Sequence, residues 1–137
     1  MSKVTPIDEE YFYEGSVIIS QTDLKGNIVY ANTMFCEISG YRAEELVGQA
    51  HNIIRHPDMP KAAFVEMWEA LSSGQVWNGL VKNLRKDGLY YWVDTEILPI
   101  RNDNDEVTGY IAARKPASRK NITEIQEQYT KMLESEE

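Results

Sequence analysis

The chain has 137 residues and a mass of 15.8 kDa, with 42% hydrophobic and 26% charged side chains, a size that buries roughly two-thirds of its surface around one core and not two. Its 14 basic against 22 acidic side chains give a net charge of −8, which argues against nucleic acid, whose phosphates need a basic face. The single cysteine, Cys36, excludes an internal disulfide framework and a four-cysteine metal site.

The longest apolar runs, such as Val17-Ile18-Ile19, are too short to cross a bilayer, and the polar, acidic N-terminus has no signal-peptide pattern. A cytoplasmic domain without membrane insertion is expected. Asp8 to Tyr13 is predicted as a short helical arm offering Tyr11, Phe12 and Tyr13 as aromatic surface. Ser16 to Gln21 is apolar and β-branched and reads as a strand. Asp23-Leu24-Lys25-Gly26 supplies turn chemistry, and Asn27 to Ala31 is the returning strand.

Asn32 is placed to cap a helix over Thr33 to Ser39 that turns Phe35 and Ile38 inward and ends at Gly40. A further helical turn over Arg42 to Leu46 stops at Gly48. From Gln49 to Pro60 two prolines and two histidines leave a loop with one turn near Asn52 to Arg55. Pro60 suits the first turn of a longer helix with Asp58 near its cap, and Phe64, Met67, Trp68 and Leu71 form an apolar stripe closed by Gly74.

The period then changes. Val76 to Arg85, Leu89 to Ile100 and Val107 to Arg114 read as long strands joined at Lys86-Asp87-Gly88 and Asn102-Asp103-Asn104-Asp105, an antiparallel meander. Beyond Pro116, Ile122, Ile125, Tyr129 and Met132 fall at heptad-like spacing over barely two heptads. Strands from both ends must join in one sheet, because a lone hairpin is unstable. The helices between them cover one face, giving an α+β sandwich whose ligand cleft lies between sheet and cover.

No catalytic constellation is present: His51 and His56 have no nucleophile at a recognisable spacing, and no glycine-rich phosphate loop occurs. The chain is therefore read as a non-enzyme. In Arg55-His56-Pro57-Asp58 an Arg–Asp staple competes with a loop that recognises anions and heteroaromatic edges. Trp68 is either a core residue or a stacking partner for a flat ring. Trp77 and Trp92 read as packing residues. Asn83 is polar in an apolar strand and needs a partner if it points inward, on the face that Val93, Thr95 and Ile97 would share. Arg114 lies at a strand end within reach of the cleft.

Residues 16–116 resemble a PAS domain: Asp23-Leu24-Lys25-Gly26-Asn27-Ile28, Ala31-Asn32, Ser39-Gly40-Tyr41 and Glu45-Leu46-Val47-Gly48 match its N-terminal pattern, and Arg85-Lys86-Asp87-Gly88, Tyr91-Trp92 and Pro99-Ile100 its C-terminal half. The resemblance implies a five-stranded antiparallel sheet with short helices around a cleft, preceded by an arm over 1–15 and followed by a linker or signalling helix over 117–137. His51 to Phe64, followed by Met67-Trp68, closely resembles the PAS sensor of bacterial aerotaxis receptors. Those receptors hold flavin adenine dinucleotide (FAD) non-covalently and report redox state to a chemotaxis module.

Carried over by position, the resemblance assigns Arg55, His56, Asp58 and Trp68 to FAD binding, Asn32 to the cleft and Asn83 to the flavin ring. His51 stands where blue-light photoreceptors carry their reactive cysteine, so no thiol–flavin adduct is expected. The reading is a redox, oxygen or energy sensor signalling to a chemotaxis-type transducer, with a homodimer allowed. Two alternatives stay open: haem held by His51 or His56, and a cofactor-free module dimerising through the N-terminal aromatics and the trailing helix.

Overall fold

A computed structural model describes residues 4–14 and 16–136; residues 1–3 and Gly15 of the expected arm, and Glu137, lie outside the described residues. The chain opens with β1 (Ile18–Asp23) and β2 (Ile28–Ala31). An Asp23 carboxylate oxygen accepts from the backbone N–H groups of Lys25 and Asn27, each at 2.9 Å, and Gly26 takes φ 86°, a backbone that favours glycine. Asn32 then caps α1 (Thr33–Ser39), its side-chain oxygen accepting from the Phe35 N–H at 2.9 Å. Phe35 and Ile38 are buried as their spacing requires.

There follow α2 (Ala43–Leu46), a single 3-10 turn (His51–Ile54) and α3 (Lys61–Ser72). The meander is β3 (Trp77–Leu84), β4 (Tyr90–Arg101) and β5 (Val107–Pro116), and α4 (Arg119–Ser135) ends the fold. Among the described residues the strands form one antiparallel sheet in the order β2-β1-β5-β4-β3. The strands from the two ends of the sequence thus meet where β1 pairs with β5.

Period-two alternation gives the sheet two different faces. Tyr91 and Val93 join Ile18, Ile28, Phe35, Leu46 and Ile54 in a core beneath the helical cover. Trp92, one residue out of phase, lies on the opposite face among Met59, Ala63, Ile122 and Tyr129.

Two expectations are corrected. Residues 8–13 are extended, not helical. Tyr11 N–H donates to the Tyr90 carbonyl at 2.7 Å, and Tyr90 N–H to the Glu9 carbonyl at 3.1 Å. The cause is that β4 begins at Tyr90, whereas its pairing with β5 ends at Val93 opposite Pro116, so the arm takes the backbone groups β5 leaves open. The aromatic triplet accordingly alternates: Tyr13 packs edge-on against Tyr91 with centroids 6.4 Å apart, while Phe12 is 72% exposed.

The second concerns the ends of the helices. Asp58 does not cap α3; the Glu136 carboxylate accepts from the N–H groups of Lys61 and Ala62, each at 3.1 Å. The heptad-like stripe of α4 is covered by this chain's own sheet. Tyr129 stacks on Trp92, 6.4 Å and 13° apart, and its hydroxyl donates to the Leu80 carbonyl of the edge strand at 2.7 Å.

Candidate functional site

Between the sheet and the helical cover lies a cavity of about 310 Å³, at the lower end of the range for small-molecule sites. Val81, Asn83, Thr95, Ile97, Ala112 and Arg114 form its floor on β3, β4 and β5, and Phe64, Met67, Trp68 and Leu71 of α3 form its roof. The α3 stripe therefore faces a hollow instead of a packed sheet. Trp68 accordingly stays 38% exposed and meets Tyr110 edge-on, with centroids 5.7 Å apart. A Cβ at Gly26 would lie 3.5 Å from the Trp68 ring, so the first hairpin's turn borders the same opening.

Arg114 is the principal charge in the wall. It is 4% exposed, and its Nη2 donates to Ser20 Oγ at 3.0 Å and to His51 Nε2 at 2.7 Å. A guanidinium cannot accept, so His51 Nε2 does, and the ring is neutral with its proton on Nδ1. Burial, reinforced by the Arg114 charge, pushes the His51 imidazole down to about 3. Burial likewise pulls the Arg114 guanidinium down to about 10. No ion pair includes Arg114 among the described residues, and its Nη1 is buried without a hydrogen-bond partner.

Thr95 lies opposite Arg114 in the β4–β5 register, and its Oγ1 is also buried and unpartnered. A buried cation without a counter-charge is destabilised by several kcal/mol in order of magnitude, as an orphaned hydroxyl is to a lesser degree. Both residues belong to the cavity lining, as does the buried Asn83, which stands further along β3 opposite Tyr91. The wall thus combines a buried positive charge with the polar side chains of Thr95 and Asn83, beneath an aromatic roof. That chemistry fits a flat heteroaromatic ring able to carry negative charge, as a flavin ring is.

Of the sequence-selected residues, the structure brings Arg55, Trp68, Asn83 and Arg114 together around the cavity. Arg55 is held there because its backbone bridges Asn83 and its guanidinium lies over the Phe64 ring, 4.3 Å from the centroid. Asn32, His56 and Asp58 do not border it. Asn32 is used as a helix cap, and its amide donates to the Val17 carbonyl at 3.0 Å. His56 Nδ1 accepts from the Asp58 N–H at 3.0 Å, and the Asp58 carboxylate takes the Lys82 ammonium at 2.8 Å. That ion pair replaces the Arg–Asp staple considered from sequence. Burial works to raise the Asp58 carboxyl, but the hydrogen bond and charge of Lys82 outweigh it and hold the group below its usual range.

Trp77 also lines the cavity, whereas Trp92 packs under α4. Sequence reasoning missed Ser20, and it considered His51 as a haem ligand and as the residue in place of a photoreceptor cysteine, not as a partner of Arg114. Ser20 is a buried polar residue in an apolar strand, the same signal that singled out Asn83. The haem alternative loses its geometry: His51 Nε2 has the Arg114 guanidinium against it, and His56 is outside the cavity. Cys36 is on α1, away from the wall, with burial pushing its thiol up.

The PAS fold family matches residues 28–114. The chain is 42% identical over 116 residues to the aerotaxis receptor of Escherichia coli (strain K12), covering 85% of this chain and 23% of the receptor. It is 37% identical over 105 residues to the nitrogen fixation regulatory protein of Klebsiella oxytoca, covering 77% of this chain and 21% of that protein. The chain therefore spans less than a quarter of the length of these relatives. Among solved structures, the light state of the blue-light photoreceptor Aureochrome1 LOV superposes with a TM-score of 0.73 at 21% identity, over 81% of this chain and 90% of that one. That likeness concerns the fold.

Proposed function

The chain belongs to the PAS family, and on that premise we propose that it is a flavin-binding sensor domain, with FAD held non-covalently in the cavity under α3. The observation that carries the reading is the Arg114–Thr95 pair, two paired residues of the cavity lining that bring a buried cation without a counter-charge to the wall, with Nη1 and Oγ1 lacking partners. A bound flavin supplies reversible electron uptake that places negative charge on one edge of its ring. Arg114 would hold that charge, Asn83 would present its amide to the polar edge, and Trp68 would cover the ring face. The close resemblance of residues 51–68 to aerotaxis receptors supports FAD and a redox signal.

A change of charge at Arg114 alters the strength of its bonds to Ser20 and His51, hence the relation of β5 to β1 and to the 3-10 turn. Such a shift is the differential interaction a sensor requires between its two states. The output is read by a transducer of a chemotaxis-type pathway in the cytoplasm. Among the described residues no helix is long and apolar enough to cross a membrane. The test is titration of the flavin-free chain with FAD, following quenching of flavin fluorescence. Saturation at one flavin per chain is expected, and Arg114→Met together with Asn83→Ala should weaken it; no saturable quenching would remove the reading.

A further inference from the structure

The roof helix α3 has no cap of its own. Pro60 makes no side-chain cap bond, and the first turn carries no acidic residue. The Ala63 N–H reaches the Pro60 carbonyl at 3.2 Å, but the N–H groups of Lys61 and Ala62 precede any partner the helix itself can offer. The Glu136 carboxylate, at the end of α4, accepts from both across 75 and 74 residues of chain. Those bonds, from Ala62 and then Lys61, hold the Glu136 carboxyl below the usual carboxylate range, and the charges of Lys61 and Arg55 add to the effect. An anion is well placed against the positive end of a helix.

The rest of α4 is fastened along its way to that point. Arg119 at its start pairs with Glu10 of the N-terminal arm, and Tyr129 holds the Leu80 carbonyl midway. Ile125 and Met132 pack into the cluster that contains Ala63 and Phe64 of α3. Phe64 also lines the cavity, so one aromatic side chain lies between the α4 cluster and the hollow. Within α3 itself the buried residues are Ala63 and Leu71, and Ala63 owes its burial to the cluster that α4 completes.

We propose that α4 is a strap across the roof, so that its docking and the filling of the cavity form one coupled equilibrium carried through α3. This route is separate from the one through β5 and β1. Releasing the end of α4 uncaps Lys61 and Ala62 and loosens the roof from Lys61 to Trp68. By linkage the converse holds: an occupant that steadies Phe64 and Trp68 steadies the end of α4 by the same free energy. The strap holds whatever the occupant is; the ligand arm of its test uses FAD and rests on the flavin reading.

The experiment is amide hydrogen exchange on the full chain without flavin, compared with Glu136→Ala and Met132→Ala. Glu136 is exposed and Met132 only partly buried, so neither variant removes a core residue. Glu136→Ala should speed exchange by about threefold or more from Lys61 through Trp68, and over residues 131–136 of α4. Met132→Ala takes part in neither capping bond and should speed the same two segments. Change confined to Lys61 and Ala62, or a roof unmoved by Met132→Ala, would overturn the strap. With FAD bound, the end of α4 should exchange more slowly than in the flavin-free chain, and Glu136→Ala should release FAD several-fold faster. If neither value moves, the coupling to the cavity is wrong. A chain that takes up no FAD overturns the flavin reading alone, since flavin-free exchange still decides the strap.

Discussion

The Nη2 atom of Arg114 lies 2.7 Å from Nε2 of His51, while Nη1 of the same guanidinium is buried with nothing to bond. Two basic side chains face each other in a cavity wall, and this is tolerable only while the imidazole is neutral. The pair leaves the wall with positive charge that no carboxylate among the described residues pairs with.

Replacing Arg114 with methionine removes that charge and leaves Ser20 Oγ and His51 Nε2, 3.2 Å apart, to satisfy one another. The flavin-free variant is expected to be as stable as the natural chain or more so, by up to about 1–4 kcal/mol. The loaded variant should show a midpoint potential lowered on the order of tens of millivolts, because the reduced flavin loses its counter-charge. Denaturant unfolding and a reductive titration check the two halves separately. A strongly destabilised variant whose potential is unchanged would assign Arg114 a structural role alone.

His51 gives the chain a pH signature. Its imidazole is pushed down to about 3 in the fold by burial and by Arg114, against an ordinary value of about 6.5. Between those limits the unfolded chain binds a proton that the folded chain does not, so stability falls as pH falls, by roughly 1.4 kcal/mol per pH unit at most. His56, lowered by burial and then by Lys82, acts in the same direction, so His51→Gln should remove part of the loss and not all of it. Unfolding free energies at pH 7, 5.5 and 4.5 measure this; identical slopes in the two proteins would contradict it.

Trp68→Ala should separate binding from folding. The side chain is 38% exposed and makes one edge-on contact with Tyr110, so its removal costs about 1–2 kcal/mol of stability. Flavin affinity should fall about tenfold or more, corresponding to about 1.4 kcal/mol or more of lost contact with the ring. Stoichiometric flavin retained at natural affinity would remove the covering role.

Much of this arrangement was legible in the sequence, for reasons specific to each part. Asn32, Gly40 and the apolar pair Phe35 and Ile38 bound α1 because cap, stop and stripe agree locally. The strands followed from alternation and turn residues, and Asn83 stood out because an amide in an apolar strand needs a partner. The N-terminal arm was misread because its pairing with Tyr90 depends on where β5 stops, a relation that local sequence does not contain. His56 and Asp58 sit within the same short motif as Arg55, but the loop turns them away from the cavity towards Lys82. A motif gives proximity along the chain and leaves direction open.

The C-terminal helix is tied to the sheet edge at defined points, which makes its attachment measurable. Tyr129→Phe deletes the bond to the Leu80 carbonyl and should cost about 1 kcal/mol. Because Trp92, Tyr129 and Ile122 share one cluster, the loss should appear as faster amide exchange throughout α4 and along β3, with β1 and β2 unaffected. Uniformly faster exchange over the whole sheet would mean that α4 is part of a single cooperative core.

Whether a flavin occupies the cavity is read from the absorption spectrum of the freshly purified chain, followed by heat release and chromatography of any chromophore. A flavin spectrum, with FAD released at one per chain and bleached on reduction, is the predicted result. A colourless protein that takes up no added FAD, or a Soret band in place of flavin absorption, would rule out a flavin sensor.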